Sequence, residues 1–288
     1  MTRFLFWNLN KREIPGFVGT LAREVGVDVL ILAECAMRPE RVLEELNAES
    51  SDYQYAWGVS DHLIFFTRFD SYYLRPLFES SRLSIRRLTL PESKPILVAA
   101  AHLPSKLSFS DESQLFESVY LSRAISEVET GEGHQRTILL GDLNMNPFEP
   151  GMVGARGGLN AIMSRRIAAR KARTVQGEKY PFFYNPMWNH MGDRAETGGT
   201  FYFENAEPVC YFWHMYDQVL LRPELLKKFE PEHVRILREV RGVSLLENGR
   251  PDKEMASDHL PVLLELDFCR RKLWLTIFGR KILRSRTW

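Results

Sequence analysis

Apolar and polar positions alternate along this chain with two different periods. Residues 3–9 (RFLFWNL) are almost wholly apolar and read as a strand. Pro15 then opens a helix in which Phe17, Leu21 and Val25 share one face at i, i+4 and i+8, and Gly26 ends it. Residues 27–33 (VDVLILA) form a nearly continuous apolar run, the pattern of a strand covered on both faces. A second helix fits 39–47. Shorter strands fit 63–66, 83–90 and 96–101, and in the second of these Leu83, Ile85, Leu88 and Leu90 roughly alternate. Ser110 or Asp111 caps a long helix running to about residue 129, and TILLG at 137–141 is another buried strand, as are 217–221 and 260–266. Strands interleaved with helices predict one α/β domain whose helices cover sheets. There is no internal repeat and no low-complexity linker. Residues 150–205, rich in glycine, aromatics and bases, break the pattern and read as a long functional loop.

Composition adds little until charge is mapped. At 44% apolar and 26% charged over 288 residues the chain is ordinary globular protein, which excludes collagen, coiled coil and disorder. The net charge of +1 hides an asymmetry. Residues 156–177 hold six bases and no acid; residues 268–288 hold seven bases and no acid. Removing those thirteen leaves 25 bases against 37 acids, so an acidic body of −12 carries two basic segments. Cys35, Cys210 and Cys269 are odd in number, far apart and outside any metal-ligand spacing, as expected in a reducing compartment. The N-terminal residues show no secretory pattern, and no run reaches about 18 apolar residues. The expectation is a cytoplasmic protein.

The chemistry concentrates where strands end. Asn8 and Asn10 follow the first strand, Glu34 closes VDVLILA, and His102 closes ILVAAA. Asp142 and Asn144 follow TILLG, Asp217 opens DQVLL, and Asp258 and His259 precede LPVLLEL. A strand-end carboxylate alone is usually a turn former or a helix cap, and a lone histidine there is usually a core residue. Here every strong strand has such a residue on the side where an α/β sheet gathers its active site. Oxygen donors such as Glu34 and Asp258, with an Asn carbonyl, suit Mg²⁺, whereas zinc lacks its thiolates and its HExxH. Histidines beside carboxylates supply acid–base groups. The set suits phosphate-ester hydrolysis, with the metal offsetting developing negative charge.

Six blocks in order, WNLN at 7–10, LILAE ending at Glu34, AHLPS at 101–105, GDLN at 141–144, YDQVLL at 216–221 and SDHLPV at 257–262, resemble the endonuclease/exonuclease/phosphatase superfamily, which includes deoxyribonuclease I-like enzymes. The resemblance spans about residues 3–267. It implies a four-layer α/β sandwich of two packed mixed sheets flanked by helices, more than the open sheet that alternation alone predicts. It also implies a catalytic domain at 1–267 and a basic-aromatic tail at 268–288. By the same resemblance Glu34 is the principal Mg²⁺ ligand, with Asn8 and Asp258 close by and Mn²⁺ able to substitute. Asp142 aligns or activates water, Asn144 hydrogen-bonds the phosphate, and His259 pairs with Asp217. His102 resembles a second catalytic histidine of the deoxyribonuclease and sphingomyelinase branches, with Asp61 as its carboxylate partner, seven residues before Arg68. Asn10 stands where many relatives carry Asp, as a substrate contact. GDLNMNP lacks the arginine of the inositol 5-phosphatases and Gln218 follows Asp217, which disfavours that branch.

The basic segments suggest what is hydrolysed. IMSRRIAARKAR at 162–173 reads as a helix or helical loop in which Arg165, Arg166 and Arg170 reach a phosphate backbone, with nearby aromatics to stack bases. The bland alternative is a solvated helix face. The 268–288 tail fits docking on the domain itself, a protein or nucleic-acid partner, or an anionic membrane surface. The leading expectation is a Mg²⁺-dependent nuclease cutting DNA or RNA by in-line attack of water. A phosphodiesterase for a lipid headgroup or small ester is second, and a binding module with a relict site third.

Overall fold

The computed structural model describes residues 1–106, 110–192 and 197–268. The two largest sheets hold thirteen strands. In chain order they are β1 (Thr2–Asn8), β2 (Val29–Ala33), β3 (Gln54–Tyr55), β4 (Leu63–Thr67), β5 (Leu74–Glu79), β6 (Leu83–Leu88) and β7 (Ile96–His102). Then follow β8 (Thr137–Asp142), β9 (Ala161–Ile162), β10 (Phe183–Tyr184), β11 (Asp217–Leu221), β12 (Val234–Ile236) and β13 (Val262–Leu266). The first sheet runs β12-β13-β1-β2-β4-β3 and the second β5-β6-β7-β8-β11-β10-β9. The helices are α1 (Pro15–Val25), α2 (Pro39–Leu46), α3 (Asp111–Glu132), α4 (Pro150–Val153) and α5 (Arg165–Ala168).

Period-two side-chain alternation explains why sheets stack here rather than stand alone. On β1, Phe4 and Phe6 point into the core between the sheets, while Leu5 and Trp7 pack with Val18, Leu21 and Val42 of α1 and α2. On β7, Ile96, Val98 and Ala100 face the same central core, while Leu97, Ala99 and Ala101 pack with Leu121, Ala124 and Ile125 of α3. Strands apolar on both faces need cover on both, and the result is helix, sheet, sheet, helix. The four-layer sandwich of two mixed sheets expected from the resemblance is what the chain forms.

Topology gathers the polar strand ends. β1 and β2 are parallel around α1, β7 and β8 are parallel around α3, and β11 runs antiparallel to β8. Asn8 therefore lies opposite Ala33, His102 opposite Asp142, and Asp217 opposite Asp142, all at one edge. Gly141 permits the close approach of β8 to β7, since a Cβ there would stand 2.0 Å from the Ala101 oxygen. A buried ion pair ties α3 to the second sheet. Arg222 Nε lies 2.8 Å from Glu129 Oε1, its guanidinium covers the Phe183 ring at 3.8 Å, and Thr137 donates to Glu129 at 2.6 Å. Among the described residues no helix is long and apolar enough to cross a membrane.

Several elements depart from the sequence reading. The helices begin where expected: Pro15 opens α1 and the Ser110 hydroxyl caps α3, which runs three residues further, to Glu132. Strand β5 breaks its alternation with Arg75 and Pro76 and has no period for sequence reading to find. The helix expected at 162–173 is only α5, four residues long. Beyond it, Ala172–Val175 turns at positive-φ Gln176 and Gly177 to pair with Glu178–Pro181. Regular elements thus run through 150–205. The tail beyond Phe268 lies outside the described residues.

Candidate active site

Asn8, Glu34, Asp142, Asn144, Asp258 and His259 line one pocket of about 470 Å³ at the gathered strand ends. Asp142 is the junction. Its Oδ2 accepts from Asn8 Nδ2 at 3.0 Å, across the interface between the two sheets, and its Oδ1 accepts the Asn144 N–H at 3.0 Å. The same Oδ2 lies 3.8 Å from His102 Nε2 and 3.9 Å from His259 Nε2. Burial raises the Asp142 carboxyl above its ordinary range, although both histidines oppose the rise.

His259 and Asp217 form a buried pair, Nδ1 to Oδ2 at 2.7 Å. Burial disfavours the imidazolium, but Asp217, Asp142 and Asp258 outweigh it and lift His259 to about 10. Local structure fixes the pair. Ser257 donates to the Asn8 carbonyl at 2.7 Å, its hydroxyl accepts the His259 N–H at 3.2 Å, and Trp7 Nε1 donates to the His259 carbonyl at 2.9 Å. The Asp217 N–H reaches Thr200 Oγ1 at 3.1 Å. Glu34 stands in a left-handed backbone, φ 45°, a strained conformation for this residue that turns its carboxylate toward His102 at 3.2 Å. That hydrogen bond, against the cost of burial, holds Glu34 down to about 2.

The donor set fits a divalent ion. Glu34 stays ionised while its side chain keeps 23% exposure toward the pocket, and Asp258 and the Asn8 amide share that pocket. Burial raises Asp258, an expense that a bound cation relieves. Asp142, Asp217 and His259 also lie close enough together to count as a candidate metal group, but there the buried hydrogen bond already occupies His259 Nδ1.

Other expected residues fall elsewhere. Asn10 is on the pocket rim, its N–H bonded to Asn8 Oδ1 at 2.9 Å. Asp61 is exposed in a bend before β4, and among the described residues no hydrogen bond joins it to His102; His102 Nδ1 is buried without a partner. His62, not Asp61, packs edge-on against His102, ring centres 5.7 Å apart. Arg165 donates to the carbonyls of Leu226 and Phe229 at 2.6 and 2.8 Å and pairs with Glu230. Ala169 and Lys171 line a groove with Ile96 and Arg136, where β7 and β8 begin. The arginine segment is thus at the edge opposite the pocket, with Arg166 and Arg170 exposed. Gln218 bonds the Met145 carbonyl at 2.6 Å and Asn185 at 2.7 Å, a structural role. Sequence reading gave no role to Thr200 or Tyr216, whose hydroxyl and aromatic character carries no spacing signal, nor to Asn146 just beyond GDLN; Phe201, expected among the aromatics that stack bases, packs on His259 with ring centres 4.7 Å apart.

Two packed mixed sheets, with carboxylates, amides and a His–Asp pair at one shared edge, define a protein of deoxyribonuclease I-like fold. The chain belongs to the Endonuclease/Exonuclease/phosphatase family, whose sequence model matches residues 5–259. Its fold is similar to that of D. rerio TDP2 complexed with a single-strand DNA product: TM-score 0.54, 15% identity, over 92% of this chain and 98% of that one. It is similar as well to the 3′ phosphatase NExo from Neisseria bound to a product DNA hairpin, with TM-score 0.53, 14% identity and coverage of 93% and 100%. The human Nocturnin catalytic domain with bound sulfate aligns at TM-score 0.51, 14% identity, over 93% and 94%. No curated protein matches the chain at the sequence level.

Proposed function

We propose that this protein is a Mg²⁺-dependent phosphodiesterase that hydrolyses nucleic acid. One observation carries the reading: a single buried carboxylate, Asp142, held by two amides between two histidines, with one histidine kept charged by Asp217. Glu34, Asp258 and Asn8 would hold the ion, which would supply polarisation of a phosphoryl oxygen and offset developing charge; Mn²⁺ would serve in its place. Asp142 orients the attacking water and takes its proton, helped by its raised affinity for protons. His259 presents a charged Nε2–H to the phosphate, stabilising its oxygens and protonating the leaving one. His102 steadies the ionised Glu34. The attack is in line and forms no covalent enzyme intermediate. The DNA bound to TDP2 and NExo supports a nucleic-acid substrate.

The test is turnover by the purified protein with Mg²⁺ on labelled single- and double-stranded DNA and RNA and on a lipid phosphodiester, with excess EDTA as one control. Cleavage of a nucleic acid that EDTA abolishes is expected. Full activity in EDTA overturns the metal, and turnover of the lipid ester alone overturns the substrate.

A further inference from the structure

His214 lines the pocket but takes no part in the geometry above. It ends the strand Phe212–His214, paired with Phe201–Phe203. Its carbonyl accepts the Thr200 N–H at 2.9 Å, and a Cβ on Gly199 would stand 2.3 Å from that oxygen, so the backbone there is clamped. The ring centre is 4.6 Å from Tyr216 and 6.2 Å from Phe201, and Phe201 is 4.7 Å from His259. One aromatic ring therefore separates His214 from the catalytic histidine.

The two ring nitrogens have different surroundings. Nδ1 lies 3.1 Å from Asn146 Nδ2. The Asn146 Oδ1 accepts the Met215 N–H at 2.9 Å and its Nδ2 also reaches Glu149 Oε1 at 3.1 Å, which fixes the amide with Nδ2 as donor. Glu149 is itself held by the Asn146 N–H at 2.8 Å and by Lys106. Nδ1 must accept, so the proton of the neutral ring sits on Nε2. Burial and Lys106 push His214 down to about 4, and the ring is neutral at pH 7. Lys106, Glu149, Tyr211 and Tyr216 are the titratable groups that surround it. Among the described residues Nε2 has no hydrogen-bond partner, and the ring borders the open pocket.

A neutral N–H at the pocket wall donates to an oxygen lone pair. Sugar oxygens and base carbonyls offer one; a quaternary ammonium lipid headgroup does not. The rim adds flat faces at Phe203 and Tyr211, both exposed, which suit an unpaired base. We propose that His214, oriented by Asn146, is a specificity-determining residue whose Nε2–H takes an oxygen of the nucleoside next to the scissile phosphate. This rests on the phosphodiesterase reading.

Two esters separate the roles, in Mg²⁺: the p-nitrophenyl ester of thymidine 5′-monophosphate, and bis(p-nitrophenyl) phosphate, which has no nucleoside. His214→Phe keeps a ring and removes the N–H. It should lower kcat/KM on the nucleotide ester about tenfold, chiefly through KM, and leave the bis ester unchanged. His214→Gln, which keeps an N–H at similar reach, should restore most of the loss. Equal losses on both esters, or none on the nucleotide ester, overturn the proposal. So does wild-type hydrolysis of the bis ester alone, which would leave phosphodiesterase activity intact. A second readout needs no turnover: ¹⁵N–¹H spectra of the histidine rings at pH 7, with His214→Gln for assignment. A neutral Nε2–H ring that shifts with thymidine 5′-monophosphate but not with inorganic phosphate is expected. An Nδ1–H ring, an imidazolium, or the same shift with phosphate overturns the proposal even if neither ester is hydrolysed.

Discussion

Asp142 meets two histidines and two amides within 3.9 Å, and what it does depends on each of them keeping its proton in place. Asp142→Asn keeps the shape and removes the base. It should lower kcat by at least ~100-fold, the scale of a positioned acid–base group, while circular dichroism stays unchanged. Near wild-type turnover would remove Asp142 from its role. The His259–Asp217 pair makes a second residue-scale prediction, about stability. His259 rises from 6.5 in an unfolded chain to about 10 in the folded one. Between those values the folded state binds more protons than the unfolded state. The stabilisation is complete below pH 6.5 and is lost as pH rises toward 10. Urea unfolding in EDTA should therefore show stability falling more steeply from pH 6.5 to 10 in wild type than in His259→Ala. Parallel pH profiles would mean that the pair does not hold the charge.

At the scale of elements, the site depends on strands placed by contacts far from it. Arg222 and Glu129 are both almost wholly buried, and their pair pins α3 against β8 and β11, the strands that carry Asp142 and Asp217. Removing one member strands a buried charge, so Glu129→Ala should cost roughly 3–5 kcal/mol in urea unfolding. The exposed Arg41–Glu44 pair at 3.0 Å is the control, and Glu44→Ala there should cost about 1 kcal/mol or less. Equal costs would show that the buried pair is not the anchor. Gly141 makes a related demand: the short distance to Ala101 leaves no room for a side chain in the strand that presents Asp142.

Over the whole molecule, the two sheets divide the catalytic groups between them. Asn8 and Glu34 come from the first, His102, Asp142 and Asp217 from the second, and the Asn8–Asp142 hydrogen bond crosses the seam. Residues 165–171 of the basic segment lie across the molecule from that seam, where Arg165 is tied to the Leu226 and Phe229 carbonyls and to Glu230. Changing Arg166 and Arg170 together to Ala should leave turnover of a short oligonucleotide near wild type. A large loss on such a substrate would mean that the nucleic acid reaches round to the far edge.

The sequence by itself determined which residues belong at the strand ends. Apolar runs such as VDVLILA and TILLG demand burial on both faces, and the polar residue that closes each run has to emerge at an edge. That local rule marked Asn8, Glu34, His102, Asp142, Asp217 and His259, and the pocket contains or adjoins all of them. Tertiary structure alone decided the partners. Asp61 has the right spacing from Arg68, yet its side chain is in solvent, because spacing along a strand does not say which way the preceding bend points. Arg165 has helical spacing from its neighbours, yet the helix stops after four residues and the guanidinium caps carbonyls of a distant turn. His214 and Asn146 are 68 residues apart and carry no shared pattern; they meet because β8 and β11 are adjacent and antiparallel. Burial is dictated residue by residue, whereas hydrogen-bond partners are set by which strand ends the two sheets bring within 3 Å.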